Sequence, residues 1–367
     1  MKSILKPSLD WLLICIPLAL YFHHFQHEPT LAFILACVAI IPLAGWMGKS
    51  TEHLAERTSD GVGGLLNATF GNAAELIIAI VALSKGMTEI VKASLTGSII
   101  GNILLVLGAS FVAGGVKFPT QTFNARGARI QATFLLLAAI GLIAPAAFHH
   151  VGGAQALPKE GPLSVTIAII LLVAYVLGLW FSLKTHKHLF AGHGAVADDS
   201  GAHGPDDSEV WPVKKALTIL LVATALVAFM SELLVAEVDE AAKHLGMNQI
   251  FVGVIVVAII GNAAEHSTAI LMALKNKMDL SIGIAIGSSI QIALFVAPLL
   301  VLLSYVIGPT PMNLVFSLPE VLAVVLAVAV TSQISGDGES NWLEGVLLLA
   351  VYLILGVVFY FLPVTAP

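Results

Sequence analysis

The sequence predicts an all-α polytopic membrane protein of eleven transmembrane helices, built as one extra N-terminal helix followed by two inverted five-helix repeats. Three observations carry that prediction. Of the 367 residues, 58% are hydrophobic and only 11% charged, and mean hydropathy is +0.95, outside the range of soluble domains. Apolar runs long enough to cross a hydrocarbon core of roughly 30 Å as helices recur along the whole chain. The pentapeptide GNAAE occurs twice, at residues 71–75 and 261–265, each time inside an apolar run.

The elements follow in order. The opening "MKSILKPSLDWLLICIPLALYF" resembles a secretory leader, but no small-residue cleavage site precedes "YFHHFQHEP", so residues 9–22 read as a first membrane helix within an N-terminal unit, 1–28. Residues 29–184 form the first repeat, with spans near 29–48, 60–84, 90–114, 128–148 and 162–183. A Gly-, His- and acid-rich cytoplasmic linker, 185–212, interrupts the hydrophobic pattern. The second repeat, 213–367, has spans near 213–236, 249–274, 280–307, 315–334 and 341–362. Cys15 and Cys37 both fall inside spans, which makes them packing residues rather than a disulfide or metal site.

Lys and Arg are retained on the cytoplasmic side of short loops. With the N-terminus inside, 13 of the 17 basic residues lie in inner loops, and only Lys85, Lys92, Lys159 and Lys243 face outward. An odd number of spans then places the C-terminus outside and makes the second repeat enter the membrane in the opposite sense. The repeat is also visible in the residues: GNAAE, Gly97-Ser98 against Gly287-Ser288, and Lys85 against Lys275 all recur at an offset of 190. A shared spacing across several features is not easily accidental. The formal net charge of −6, much of it in one loop, points to no nucleic-acid partner.

Asn72 and Glu75 are three residues apart, as are Asn262 and Glu265, so a continuous helix would put each pair on one face near mid-span. The following spans contribute neutral groups: Ser98 and Asn102 in "TGSIIGN", and Ser288, Ser289 and Gln291 in "IGSSIQ". Gly97, Gly101, Gly283 and Gly287 would let those spans loosen and turn carbonyl oxygens inward, which membrane depth tolerates only where protein or a bound ion satisfies them. Small-residue stripes with Ser or Asn also bring helices together without further purpose. That bland reading is much weaker for the glutamates, because an ionisable group at mid-membrane costs roughly 2.5 kcal/mol or more and no Lys or Arg shares their faces.

Two carboxylates with neutral oxygens suit a hard divalent cation such as Ca2+, which takes six to eight oxygen ligands. Two negative charges neutralise one such ion. Once it leaves, two close carboxylates in a poorly solvated site are costly to keep charged, so the empty site is expected to take up protons. Ion and proton compete for the same residues, which is the physical basis of an antiporter.

These helices, "GNAAE" followed by "GSIIGNILLVLG" in one half and "GSSIQIALFVAP" in the other, resemble the signature repeats of the Ca2+/H+ antiporter family of cation/proton exchangers. The resemblance extends to "ARGARIQATFLLLAAIGLIAPAAF" and "FSLKTHKHLF", covering most of the chain from about residue 45 onward. It implies an eleven-helix exchanger with one essential glutamate from each half, here Glu75 and Glu265. Asn72, Ser98, Asn102, Asn262, Ser288, Ser289 and Gln291 match the family's polar positions around the ion. The resemblance further implies Ca2+ and H+ as substrates, no cofactor, and a multi-pass location in the lipid bilayer, with a prokaryotic plasma membrane favoured because the long regulatory N-terminal extension of some eukaryotic relatives is missing. A homo-oligomer is compatible with these features.

His266 adjoins Glu265 and is a candidate proton carrier, since imidazole titrates near neutral pH. A hydrogen-bonded interior histidine is the plainer reading. Glu52, Glu56 and Glu232 lie near span ends as approach residues or ordinary interfacial ones. His186, His188, His193 and His203, with Asp198, Asp199, Asp206, Asp207 and Glu209, could sense cytosolic cation or pH, or simply solvate the linker. The main rival function is a Na+/Ca2+ exchanger, which uses the same inverted repeat and paired glutamates. A cation channel on the same glutamates is another. An intramembrane enzyme lacks its motifs: "HH" at 149–150 and "DD" at 198–199 stand without metalloprotease or transferase context.

Overall fold

The computed structural model describes residues 9–58, 60–189 and 211–363. His193, Asp198, Asp199, His203, Asp206, Asp207 and Glu209 lie outside these residues. Seven described helices are long and apolar enough to cross a membrane, or eight when one bent pair counts as a single span. The chain is a mostly helical, multi-pass membrane protein.

The N-terminal stretch changes pitch along its length, 3-10 over Leu9–Ile14, α-helical in α1 (Cys15–Tyr21) and π-helical over Phe22–Gln26. Cys15 and Cys37 are free and buried. Helix α2 (Pro29–Ala55) packs along α8 (Val213–His244), burying Phe33, Ile40, Leu43 and Met47 on one side and Ala223, Val227 and Met230 on the other. Between them in the chain come α3 (Asp60–Phe70), α4 (Ala73–Ser84), α5 (Thr88–Lys117), α6 (Ala125–Gln155) and α7 (Leu157–Thr185). After α8 follow α9 (Gln249–Gly261), α10 (Ala263–Leu274), α11 (Met278–Leu303), α12 (Leu318–Ile334) and α13 (Trp342–Phe361).

The 60–84 and 249–274 runs are each two helices, contrary to the continuous helices expected. Asn72 (φ −105°, ψ 30°) and Asn262 (φ −92°, ψ 13°) leave helical geometry, and α9 and α10 meet at a 60° bend. Each asparagine stands at the N-cap of the second half-helix, with its glutamate in that helix's first turn. Neither asparagine's side chain bonds to the first amides of the helix it precedes; both reach other helices instead. Asn72 and Glu75 are therefore not two stations on one mid-span face. They occupy a break, where the last carbonyls of one half-helix and the first amides of the next have no partner in their own helix.

The spans after each break stay continuous but loosen to π-helical turns at Gly101–Val106 in α5 and Ile292–Val296 in α11. Close helix approach fixes α5 against α9: a Cβ on Gly97 would lie 2.0 Å from the Val254 carbonyl oxygen. Gly97→Val is thus expected to destabilise the protein by about 3 kcal/mol, visible as a lowered melting temperature in detergent. Gly283→Val, where a Cβ would meet nothing within 4 Å, should leave it nearly unchanged.

Capping fixes several helix starts. Asn124 accepts from the Arg126 and Gly127 amides at the start of α6, and capping boxes Ser317/Glu320 and Asn341/Glu344 open α12 and α13. A two-residue antiparallel ladder, with Gln121 opposite Ser340 and Thr122 opposite Glu339, ties the α5–α6 and α12–α13 connections together. There Gln121 donates to the Ala273 carbonyl at 2.9 Å and Lys117 to the Leu274 carbonyl at 3.1 Å, satisfying the C-terminal end of α10 with a positive charge.

Candidate functional site

The two breaks place Asn72 and Asn262 beside α5 and α11, and one hydrogen-bonded chain runs through six of the expected residues. Asn72 donates to the Gln291 side-chain oxygen, and the Ser288 hydroxyl donates to Asn72 Oδ1 at 2.8 Å. Asn102 Nδ2 donates to Ser288 Oγ at 3.1 Å and to Asn262 Oδ1 at 2.9 Å. Asn262 Nδ2 in turn donates to Ser98 Oγ and to the Ala258 carbonyl, each at 2.9 Å. Residues more than 150 positions apart thereby hold one another, with both halves contributing.

Ser289 does not join this chain. It is fully buried, and its hydroxyl donates to the backbone carbonyls of Ile99 at 3.1 Å and Ala285 at 3.2 Å. The reason is helical geometry: neighbours in sequence project about 100° apart, whereas Ser288 and Gln291, three apart, share a face. Ser289 fastens α11 to α5.

Glu75 is buried, and Glu265 is half-buried. Both Glu75 oxygens, Glu265 Oε2 and Asn102 Oδ1 are buried without a hydrogen-bond partner. The amide nitrogens of Asn72, Asn102 and Asn262 are spent on neighbouring oxygens, so the network directs donors inward on itself and leaves acceptors over. A buried, unpartnered carboxylate is strongly unfavourable unless a cation or proton neutralises it. Glu75 faces a small cavity shared with Ser94, Ser98, Val257 and Gly261, and a Cβ on Gly261 would lie 3.1 Å from Glu75 Cγ. Ser94 had no signal of its own in the sequence, and Gly261 was marked only as part of the repeated GNAAE; the opposed packing of the two breaks brings both to Glu75.

His266 is half-buried and its Nε2 lacks a partner. Glu52 and Glu232 are exposed, and Glu56 is exposed with its carboxylate 3.6 Å from His53, outside this network. Lys92, expected to face outward near the start of the 90–114 span, is buried at the start of α5, donating to Asn313 Oδ1 and the Val315 carbonyl at 2.9 Å each and to Glu89 at 3.3 Å. Its charge is satisfied there. Among the described residues, no group of three or more His, Cys, Asp or Glu side chains is arranged to hold a metal, so any cation here must draw on the amides, hydroxyls and carbonyls as well as the two carboxylates.

Residues 28–184 and again 215–361 match the family profile described as sodium/calcium exchanger protein. The chain is 45% identical over 362 residues to a Ca2+/H+ antiporter of Aphanothece halophytica, with 96% of each chain covered. It is 46% identical over 340 residues to the Ca2+/H+ antiporter ChaA of Bacillus subtilis, covering 92% of this chain and 94% of that one. The solved structure of native YfkE resembles it with a TM-score of 0.82 at 42% identity, covering 97% of this chain and 100% of that one.

Proposed function

The chain belongs to the sodium/calcium exchanger protein family, and from that premise we propose that it is a secondary antiporter exchanging Ca2+ for H+ across the membrane, with Glu75 and Glu265 binding the ion or protons in competition. It is a transporter and not an enzyme. The observation that carries the site assignment is the set of buried, unpartnered carboxylate oxygens at the two helix breaks. Asn72, Asn102, Asn262, Ser98, Ser288 and Gln291 supply neutral oxygens or orient those that do, and Ser289 acts on their position through the backbone. Ca2+ accepts such mixed oxygen ligands readily. Broken membrane helices, with half-helix ends and freed backbone groups at the break, suit a site that must bind and release an ion. His266, next to Glu265, is the nearest candidate for passing a proton.

Apparent Ca2+ affinity should fall as pH falls, because protonation neutralises the groups that hold the ion. Calcium binding to the purified protein across a pH series tests this, and an affinity independent of pH would contradict the competition. The two carboxylates titrate as a pair, so the curve belongs to both.

Eleven spans are obtained by counting α3 with α4 and α9 with α10 as broken crossings and the Leu9–Gln26 stretch as the first. Supporting this reading are the twofold match to one family profile, the matching breaks at Asn72 and Asn262, and the π-turns at 101–106 and 292–296. The units are then 1–28, a repeat 29–184, a linker 185–212 and a repeat 213–367. With the N-terminus cytoplasmic and the C-terminus outside, a tag between Gly192 and Gly204 is expected to be accessible only from the cytoplasm, and one after Pro367 only from outside. Both tags on one side would refute the inverted arrangement.

A further inference from the structure

Helices α6 and α12 pack together but leave a cleft of about 210 Å3 at the end where α6 begins and α12 stops, lined among others by Arg129, Thr133, Leu136, Ser332 and Ser335. Arg129 is exposed and spends one nitrogen on the Gly336 carbonyl at 3.2 Å; a guanidinium carries five donors. Ser335 is 1% exposed, and its hydroxyl has no hydrogen-bond partner. Thr133 returns its hydroxyl to its own helix at the Arg129 carbonyl, 3.0 Å away. Asp337 is the neighbouring carboxylate, and it accepts from the Glu339 amide at 3.1 Å. Arg126, one turn before Arg129 and also exposed, lies outside the cleft lining.

Beyond this polar mouth the same face of α6 continues as Leu136, Ile140 and Ile143, which are 54%, 53% and 38% exposed. In a membrane-spanning helix those side chains face acyl chains. A cationic, hydroxyl-lined mouth above an apolar track has the shape of one phospholipid, whereas a soluble anion would use the mouth alone. Basic pockets between transmembrane helices on the cytoplasmic side suit anionic head groups.

We propose that this cleft binds an anionic phospholipid, its phosphate between Arg129 and Ser335 and one acyl chain along Leu136, Ile140 and Ile143. Placement in the cytoplasmic leaflet rests on the orientation proposed above; the site itself does not.

Native mass spectrometry of the full chain in detergent, titrated with phosphatidylglycerol, tests it. The wild type is expected to retain the lipid at least about tenfold more tightly than Arg129→Ala, as fits the loss of a charged hydrogen bond. Leu136→Trp, which fills the cleft without changing charge, should lose retention similarly while keeping Ca2+ flux in phosphatidylcholine vesicles. Arg126→Ala, outside the cleft lining, should bind the lipid much as the wild type does. Equal retention by wild type, Arg129→Ala and Leu136→Trp would overturn the proposal. So would displacement of the lipid by inorganic phosphate at matched concentration, which would make this a soluble-anion site.

Discussion

Glu75→Gln and Glu265→Gln are each expected to abolish Ca2+/H+ exchange while leaving the protein inserted and folded. Glutamine keeps the shape and an acceptor oxygen but removes one of the two charges that balance the ion. Losing one partner of a buried ionic arrangement costs about 3 kcal/mol or more, roughly a hundredfold in affinity. The same substitution removes a proton-binding group, so both halves of the exchange fail together. Folding should survive, because neither Glu75 oxygen has a hydrogen-bond partner to lose. Glu75, the more enclosed of the two, should give the more complete loss. Transport and thermal stability measured side by side on the same preparations check this; substantial exchange by either variant would remove that residue from the site.

Much of this site was legible in the sequence because charge is so costly inside a membrane. Glu75 and Glu265 stood out against apolar neighbours, and the 190-residue offset between the GNAAE copies paired them. The helix break was not legible in the same way. A 25-residue apolar run has the same hydropathy whether it is straight or bent, so loosening was expected at the glycines of the following spans. The first of those spans does loosen at Gly101–Val106, but the breaks themselves come one span earlier, at Gly71-Asn72 and Gly261-Asn262. A signal was present: asparagine followed three residues later by glutamate has the spacing of a helix N-terminus. Ser289 shows a second limit, since two adjacent serines cannot face one site from one helix and only packing decides which does. The cluster around Lys92, with Asn313 and Val315 as partners, joins residues over 220 positions apart, and no local pattern encodes such a contact.

Protons, and not Na+, are expected to drive Ca2+ through this chain. Exchanging several Na+ for one Ca2+ calls for more than one cation site at once, and further monovalent sites are best supported by further carboxylates. The α5 and α11 residues of the network, Ser98, Asn102, Ser288 and Gln291, are all neutral. Two carboxylates can hold one Ca2+ or about two protons, and each unit of pH gradient supplies roughly 1.4 kcal/mol per proton. The direct measurement uses the purified full chain in Na+-free liposomes loaded with Ca2+, with external pH stepped down. Rapid Ca2+ efflux that scales with the pH step and gains nothing from an imposed Na+ gradient is the predicted result, whereas efflux that ignores pH and follows Na+ would contradict it.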